Sequence, residues 1–335
     1  MVQFLVQRIS ASVIVLLCLS LVTFVIIHSR PGDYGDWVYT NMVARGMLAV
    51  EAQKMADAIR VQYGLNDPLP IQYVNWIVGI VTRGDFGFSF YYNRDVGQVV
   101  AERLPRTILL ALTCHLLASI IGITLGIIAA TRQYSWADQL LSAFSFIGMT
   151  VPRFLLALIM LYILAFKLDA QNFGTFFSAQ YGGAPWSWAK FVDLVQHVWP
   201  VVLIATFGGL AYNMRVMRAN LLDTLNAQYI ETARAKGLTE SAVIMRHAVP
   251  NALHPLIAYQ GVVLPYMLTG EIEVAIVFSL ATVGPAIVGS MAAGDIYVTA
   301  TFMLVLAATL IVGNIISDIL LSVLDPRIRL GGHAA

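Results

Sequence analysis

The sequence predicts an all-α integral membrane protein with six transmembrane helices and a helical extracytoplasmic insertion after the first of them. Three observations carry this. Of 335 residues, 59% are hydrophobic and only 12% charged, about half the ~25% charge of ordinary soluble domains. Mean hydropathy is +0.75. The apolar residues also fall in runs of roughly 20 or more, the length that crosses a bilayer as helix. None shows the period-two alternation of a membrane barrel. Lipid offers unpaired backbone groups no partner, so such runs are helices.

The first run, Ile9 to His28, follows a leader carrying one cation, Arg8. Its apolar core is too long for a cleaved signal peptide, so residues 1–28 read as N-terminus and an uncleaved first span. Residues 29–103 follow as a partly helical extracytoplasmic segment. Within it Glu51 to Tyr63 has helical spacing and stops at Gly64, and Asn66-Asp67-Pro68-Leu69-Pro70 has turn chemistry. Five further runs, near 104–131, 138–167, 199–220, 255–280 and 297–323, make a five-helix core over 104–323. A second outer loop covers 168–198 and a short outer connection 281–296. A long cytoplasmic loop covers 221–254, and residues 324–335 form a tail.

Orientation follows from the short connections. With the N-terminus inside, the cytoplasmic pieces and adjoining helix ends hold Arg8, Arg132, Arg215, Arg218, Arg234, Lys236, Arg246, Arg327 and Arg329, whereas 281–296 holds no Lys or Arg. That asymmetry places both termini in the cytoplasm. Net charge of +1 argues against a nucleic-acid partner. Cys18 and Cys114 sit in apolar runs and read as small hydrophobes. None of the six histidines pairs with an acid or cysteine at ligand spacing, so neither a metal site nor a catalytic constellation is expected.

The loop 221–254 carries the most information. Residues 221–236 are good helix formers, with Glu231 and Arg234 placed to pair at i,i+3. Gly237 suits a left-handed helix stop. Thr239 can cap a second helix that closes before Pro250. The result is a compact knob whose small residues, Ala233, Ala235 and Gly237, would let another protein's backbone approach. Read from residue types alone, an amphipathic pair lying on the membrane surface is the commoner alternative.

Glu231-Thr-Ala, then Gly237, then Val249-Pro250 resembles the EAA loop of permeases of ATP-binding-cassette importers. Thr232 stands for the first alanine, His247 for isoleucine and Val249 for leucine. Arg234-Ala-Lys-Gly237 and Arg246-His-Ala248 resemble the dipeptide/oligopeptide/nickel branch in particular. The resemblance extends along nearly the whole chain, through Tyr63 to Tyr73, Arg83-Gly-Asp-Phe-Gly-Phe-Ser89, Glu102-Arg-Leu-Pro-Arg-Thr107, Thr150-Val-Pro152 and Leu324-Asp-Pro-Arg-Ile-Arg329. Val277 to Gly284 departs from it, lacking the family's Trp and Pro.

The resemblance implies the type I importer permease fold. It also implies a non-enzymatic permease subunit forming half of a translocation pathway for peptides or peptide-like solutes. Oligosaccharides, opines and nickel chelates are substrates elsewhere in the family. The implied partners are a second permease, commonly a different chain, two cytoplasmic ATP-binding subunits, an extracytoplasmic solute-binding protein and the lipid of a bacterial or archaeal inner membrane. ATP and magnesium would be bound by the ATPase subunits and no cofactor by this chain, which lacks a Gly-x-x-x-x-Gly-Lys-Ser/Thr phosphate loop. The coupling residues carried over are Tyr229, Glu231, Ala233, Arg234, Ala235, Lys236, Gly237, Leu238, His247 and Pro250.

Pathway candidates come from charge inside the spans, which is expensive and functional by default. Arg153 falls roughly 22 Å along the third span. It either faces the pathway and attracts a solute carboxylate or pairs with an acid of a neighbouring helix. Glu271 and Glu273 lie near the outer end of the fifth span, where an outer vestibule and a wet interface are both compatible with them. Phe278 belongs to the divergent stretch. Pro152 and Pro265 are placed to kink their helices, and Asn314 and Asp318 to make interhelical contacts. A secondary transporter is the competing class, but it would show paired repeats with discontinuous helices.

Overall fold

A computed structural model describes the backbone of residues 2–29, 32–170, 173–263 and 267–324. It omits the side chains of 2–9, 27, 261–262, 267–270 and 318–324. The tail motif at Leu324 to Arg329, Pro265, and the side chains of Arg8 and Asp318 therefore lie outside the described residues. The chain is almost entirely helical, as its hydropathy predicts, and divides into two compact units, Met1–Arg106 with Ala281–Val312 and Thr107–Leu280 with Gly313–Ala335.

The first unit opens with α1 (Val2–His28). Helix α2 (Tyr34–Ala44) starts at a reciprocal capping box in which Asp33 and Asp36 each accept the other's backbone N–H at 2.8 Å. Helix α3 (Ala49–Gln62) ends where the sequence predicts, with Gly64 left-handed at φ +64°. Pro68 turns the chain into α4 (Leu69–Arg83), so Leu69 and Pro70 belong to a helical first turn. A two-residue hairpin, β1 (Phe88–Ser89) against β2 (Arg94–Asp95), follows.

Buried Asp295 holds that hairpin. It accepts hydrogen bonds from Ser89 Oγ at 2.8 Å, Tyr91 N at 3.0 Å and Val298 N at 3.2 Å. Burial pushes its carboxyl pKa up, against the pull of those donors. The expected connection 281–296 is instead an apolar helix, α13 (Val283–Ala293), eleven residues long and too short to cross a bilayer. Val283 and Ala286 pack with Val96, Val99, Val298 and Phe302.

In the second unit α8 (Trp188–Leu225) is the central element, and it begins eleven residues before the expected span start at 199. Helix α5 (Val96–Thr131), which starts well before residue 104, approaches it through two glycines one turn apart. A Cβ on Gly122 would stand 2.6 Å from Leu210 O, and one on Gly126 2.7 Å from Met214 O. This is small-residue packing of the membrane kind. A polar chain adds to it. Ser119 Oγ donates to Gln260 Oε1 at 3.3 Å, and Gln260 Nε2 donates to Asn213 Oδ1 at 3.0 Å.

The third expected span, 138–167, is not one straight helix. It is α6 (Trp136–Thr150) and α7 (Arg153–Tyr162, extended by a π turn to Lys167), bent by 100°. Pro152 has no N–H to donate and drives Val151 to φ −81°, ψ 125°. Arg153 is thus the first residue of a new helix, not a mid-span residue.

After the loop helices α9 (Gln228–Ala235) and α10 (Glu240–Ala242), the fifth expected span begins as α11 (Val249–Val263) and continues beyond residues 264–266 as α12 (Met267–Val277). The last is α14 (Ile296–Leu324). Among the described residues three helices are long and apolar enough to span, α5, α8 and α14, and the α6/α7 pair makes a fourth. A shorter apolar stretch, Ser10–Ile26, lies within α1.

Candidate functional site

The loop 221–254 folds as a knob, with differences from the expectation that have physical causes. Helix α8 stops at Leu225, and α9 begins separately after extended Ala227. Ile230 and Ala233, three residues apart, share the face of α9 that packs on Leu221, Val243, Ala248 and Leu256. Ala233 therefore anchors the knob from inside and is absent from its outer face. That face is formed by Tyr229, Glu231, Arg234, Ala235, Lys236, Gly237 and Leu238, all exposed. Tyr229 and Leu238 keep 46% and 43% of their surfaces accessible, two apolar side chains on an otherwise charged loop.

Gly237 has φ +78°, the left-handed stop the sequence predicts, and open space around its Cα. Thr239 occupies the cap position of α10 but makes no side-chain cap bond. Arg234 pairs with Glu240, not Glu231. The turn at Gly237 brings Glu240 back so that Arg234 Nη2 and Nε donate to its two oxygens at 2.7 and 3.1 Å. That fork holds the Glu240 carboxyl below its ordinary range and raises Arg234.

The second helix does not close before Pro250. It runs through it, because Val243–Ala248 form a π turn in which Val249 N reaches back to Ile244 O. The wide turn accommodates a ring that would clash with a regular helix. His247 is half-buried and Pro250 exposed.

The pathway candidates are scattered by comparison. Pro152 caps α7. Arg153 has no ion-pair partner among the described residues, and its Nε lies 2.8 Å from where a Cβ on Gly208 would stand. Glu271 is 1% exposed and neither oxygen has a hydrogen-bond partner among the described residues. Glu273, two residues on, is exposed. Phe278 is buried with Val274, Ala275 and Leu280, and the ring of Phe173 meets it edge-on at 6.4 Å.

Two features escaped the sequence reading. The Asp138–Arg218 pair links α6 to α8, and only its charges in apolar runs hint at it. The glycines of α5 do have a sequence signal, the spacing Gly122-x-x-x-Gly126.

Comparison with known proteins agrees along the full length. The chain is 34% identical over 337 residues to the oligopeptide transport system permease protein AppB of Bacillus subtilis, covering 98% of this chain and all of that one. It is 33% identical over 331 residues to a protein named a peptide permease in Brucella ovis, covering 98% and 99%. It is 29% identical over 326 residues to a peptide ABC transporter permease protein of Sinorhizobium fredii, covering 97% and 99%. The family profile described as the N-terminal part of a binding-protein-dependent transport system membrane component matches residues 1–111. The profile of the inner membrane component itself matches residues 122–330. The chain therefore belongs to the family of inner membrane components of binding-protein-dependent transport systems.

Proposed function

We propose that this chain is the permease subunit of an ATP-binding-cassette importer for peptides, with the knob at Tyr229–Pro250 as its contact to the ATPase. The named relatives support the solute class. The observation that carries the coupling role is the outer face of the knob. An exposed turn with an unencumbered glycine, flanked by accessible Tyr229 and Leu238, rests on a buried base of Ile230 and Ala233. Such a protrusion fits helix-in-groove recognition. Its rigid base would pass the motion of a closing ATPase dimer to α8 and α11.

In this reading six spans cross the membrane, as α1, α5, the α6/α7 pair, α8, the α11/α12 pair and α14, with both termini inside. Residues 29–103 are the extracytoplasmic insertion, 104–323 the core and 324–335 a cytoplasmic tail. The chain works beside a second permease, two ATP-binding subunits that hold ATP and magnesium, and a solute-binding protein. Arg153 and Glu273 remain candidates for solute contact. The test is co-purification of the solubilised protein with a cytoplasmic ATPase, with and without a bulky residue at Gly237. Uptake that persists after the ATPase is removed would overturn the reading.

A further inference from the structure

An ionisable group inside a membrane bundle ordinarily has a partner. Among the described residues Glu271 has none, although it is 1% exposed. A carboxyl so placed loses its hydration without a compensating bond. The same unit holds a complementary anomaly. Arg153 carries a guanidinium with no ion pair among the described residues, laid against the bare backbone of Gly208. Cys114 is within electrostatic reach of both groups.

The surrounding geometry relates the two. Helices α7 and α12 pack against each other, and the segments that follow them meet. Gly174, beyond α7, lies with its Cβ position 3.0 Å from Phe278 O, and Phe278 follows α12. The helices thus run in the same direction, and Arg153 and Glu271 both lie toward their N-terminal ends. Arg153 opens α7, and Glu271 is the fifth of the eleven residues of α12, so each charge sits on one of two helices packed side by side. Arg153 also directly follows the 100° bend at Val151-Pro152, where Val151 N makes the last helical hydrogen bond of α6, to Ile147 O at 2.9 Å.

We propose that Arg153 and Glu271 pair in the opposite-facing state of the transport cycle, and that Glu271 acts as the positioning residue that holds Arg153 there. The present conformation is the open half of that exchange. Gly208 provides the resting place of the guanidinium, and Glu271 the site it moves to. The inference rests on the importer reading. It adds to that reading a pair of intramembrane charges whose union distinguishes the two states.

The test is a double-mutant cycle on ATP-dependent peptide uptake by the complete transporter in proteoliposomes. Arg153→Gln and Glu271→Gln should each lower the uptake rate about tenfold, and the double variant should be no worse than the poorer single, the non-additivity of a direct pair. A double variant about 100-fold down, or singles that transport normally, overturns the proposal. Gly208→Ala gives an independent reading, since a methyl there displaces the guanidinium from α8. It should slow uptake with Glu271 present and have no further effect in Glu271→Gln. Equal slowing in both backgrounds also overturns the proposal. Should wild type itself show no ATP-dependent uptake, the importer reading fails instead.

Discussion

Arg218 grips Asp138 with both arms of its guanidinium, Nε to Oδ1 at 2.6 Å and Nη2 to Oδ2 at 2.8 Å, and so ties the start of α6 to α8. Asp138 is 3% exposed and accepts further bonds from Tyr134 N and Ser142 Oγ. Removing one member of a buried pair strands the other charge. Arg218→Gln should lower the stability of the solubilised protein by about 3 kcal/mol, at the lower end of the range for such pairs because the arginine is partly accessible. Asp138→Asn should cost less. Thermal unfolding of the two variants in detergent checks the order, and equal losses would contradict it.

Gly126 sits where any Cβ would press on the α8 backbone. Overpacking of this kind costs about 1–3 kcal/mol. Gly126→Ala should therefore lower the thermal midpoint, and Gly126→Leu should prevent assembly. The same alanine at Gly183, which has nothing within 4 Å, should be silent. Fluorescence size-exclusion profiles distinguish the three.

Gly237 separates backbone strain from docking. Its positive φ penalises any side chain by about 1–2 kcal/mol, and no atom lies within 4 Å to add a clash. Gly237→Ala and Gly237→Trp should consequently melt alike. They should differ in co-purification with the ATPase, which the alanine variant keeps and the tryptophan variant loses. Loss in both variants would attribute the effect to the fold of the turn.

Asp33 gives a pH test in the first unit. Burial alone would raise its carboxyl pKa. The Arg60 guanidinium at 2.8 Å and the Asp36 backbone N–H outweigh that and hold it below its ordinary value. A depressed acid contributes stability above its unfolded pKa of about 4 and loses it as pH falls through the folded value. Protection against hydrogen exchange in α2 and α3, relative to intrinsic exchange at each pH, should thus be unchanged from pH 7 to 5 and fall below about pH 4. Asp33→Asn should be less protected at pH 7 and lose that acid step.

The sequence made the helices legible and much of their direction illegible, for reasons visible at particular residues. Hydropathy averages the environment of some 20 residues, so it found 138–167 as one apolar run. It could not register that Val151 leaves the helical region and that the run turns by 100°. Gly64 and Gly237 were readable because a left-handed stop depends on one residue's own sterics. The partner of Arg234 was not, because Glu240 is delivered by the turn and not by helical spacing. Pro250 was misread as a stop because a π turn upstream, which has no residue signature, makes room for it. In the candidate site, the order of motifs pointed to the loop 221–254, which folds as short helices around a left-handed turn at Gly237. Only packing revealed that Ala233 faces inward and that Glu271 is buried with no hydrogen-bond partner among the described residues.

That π turn at Val243–Ala248 has a consequence for how the loop can vary. Each residue advances a helix by about 100°, and the turn contains one more residue than a regular helix would need. Loss of that single residue would close the turn to a regular helix and drive the Pro250 ring against the carbonyl four residues before it, straining the packing of Val243 and Ala248 on Ile230. Homologous loops should therefore tolerate many changes of residue type between Gly237 and Pro250 but no change of length. A one-residue deletion there would uncouple the knob from the spans without altering any residue of its outer face.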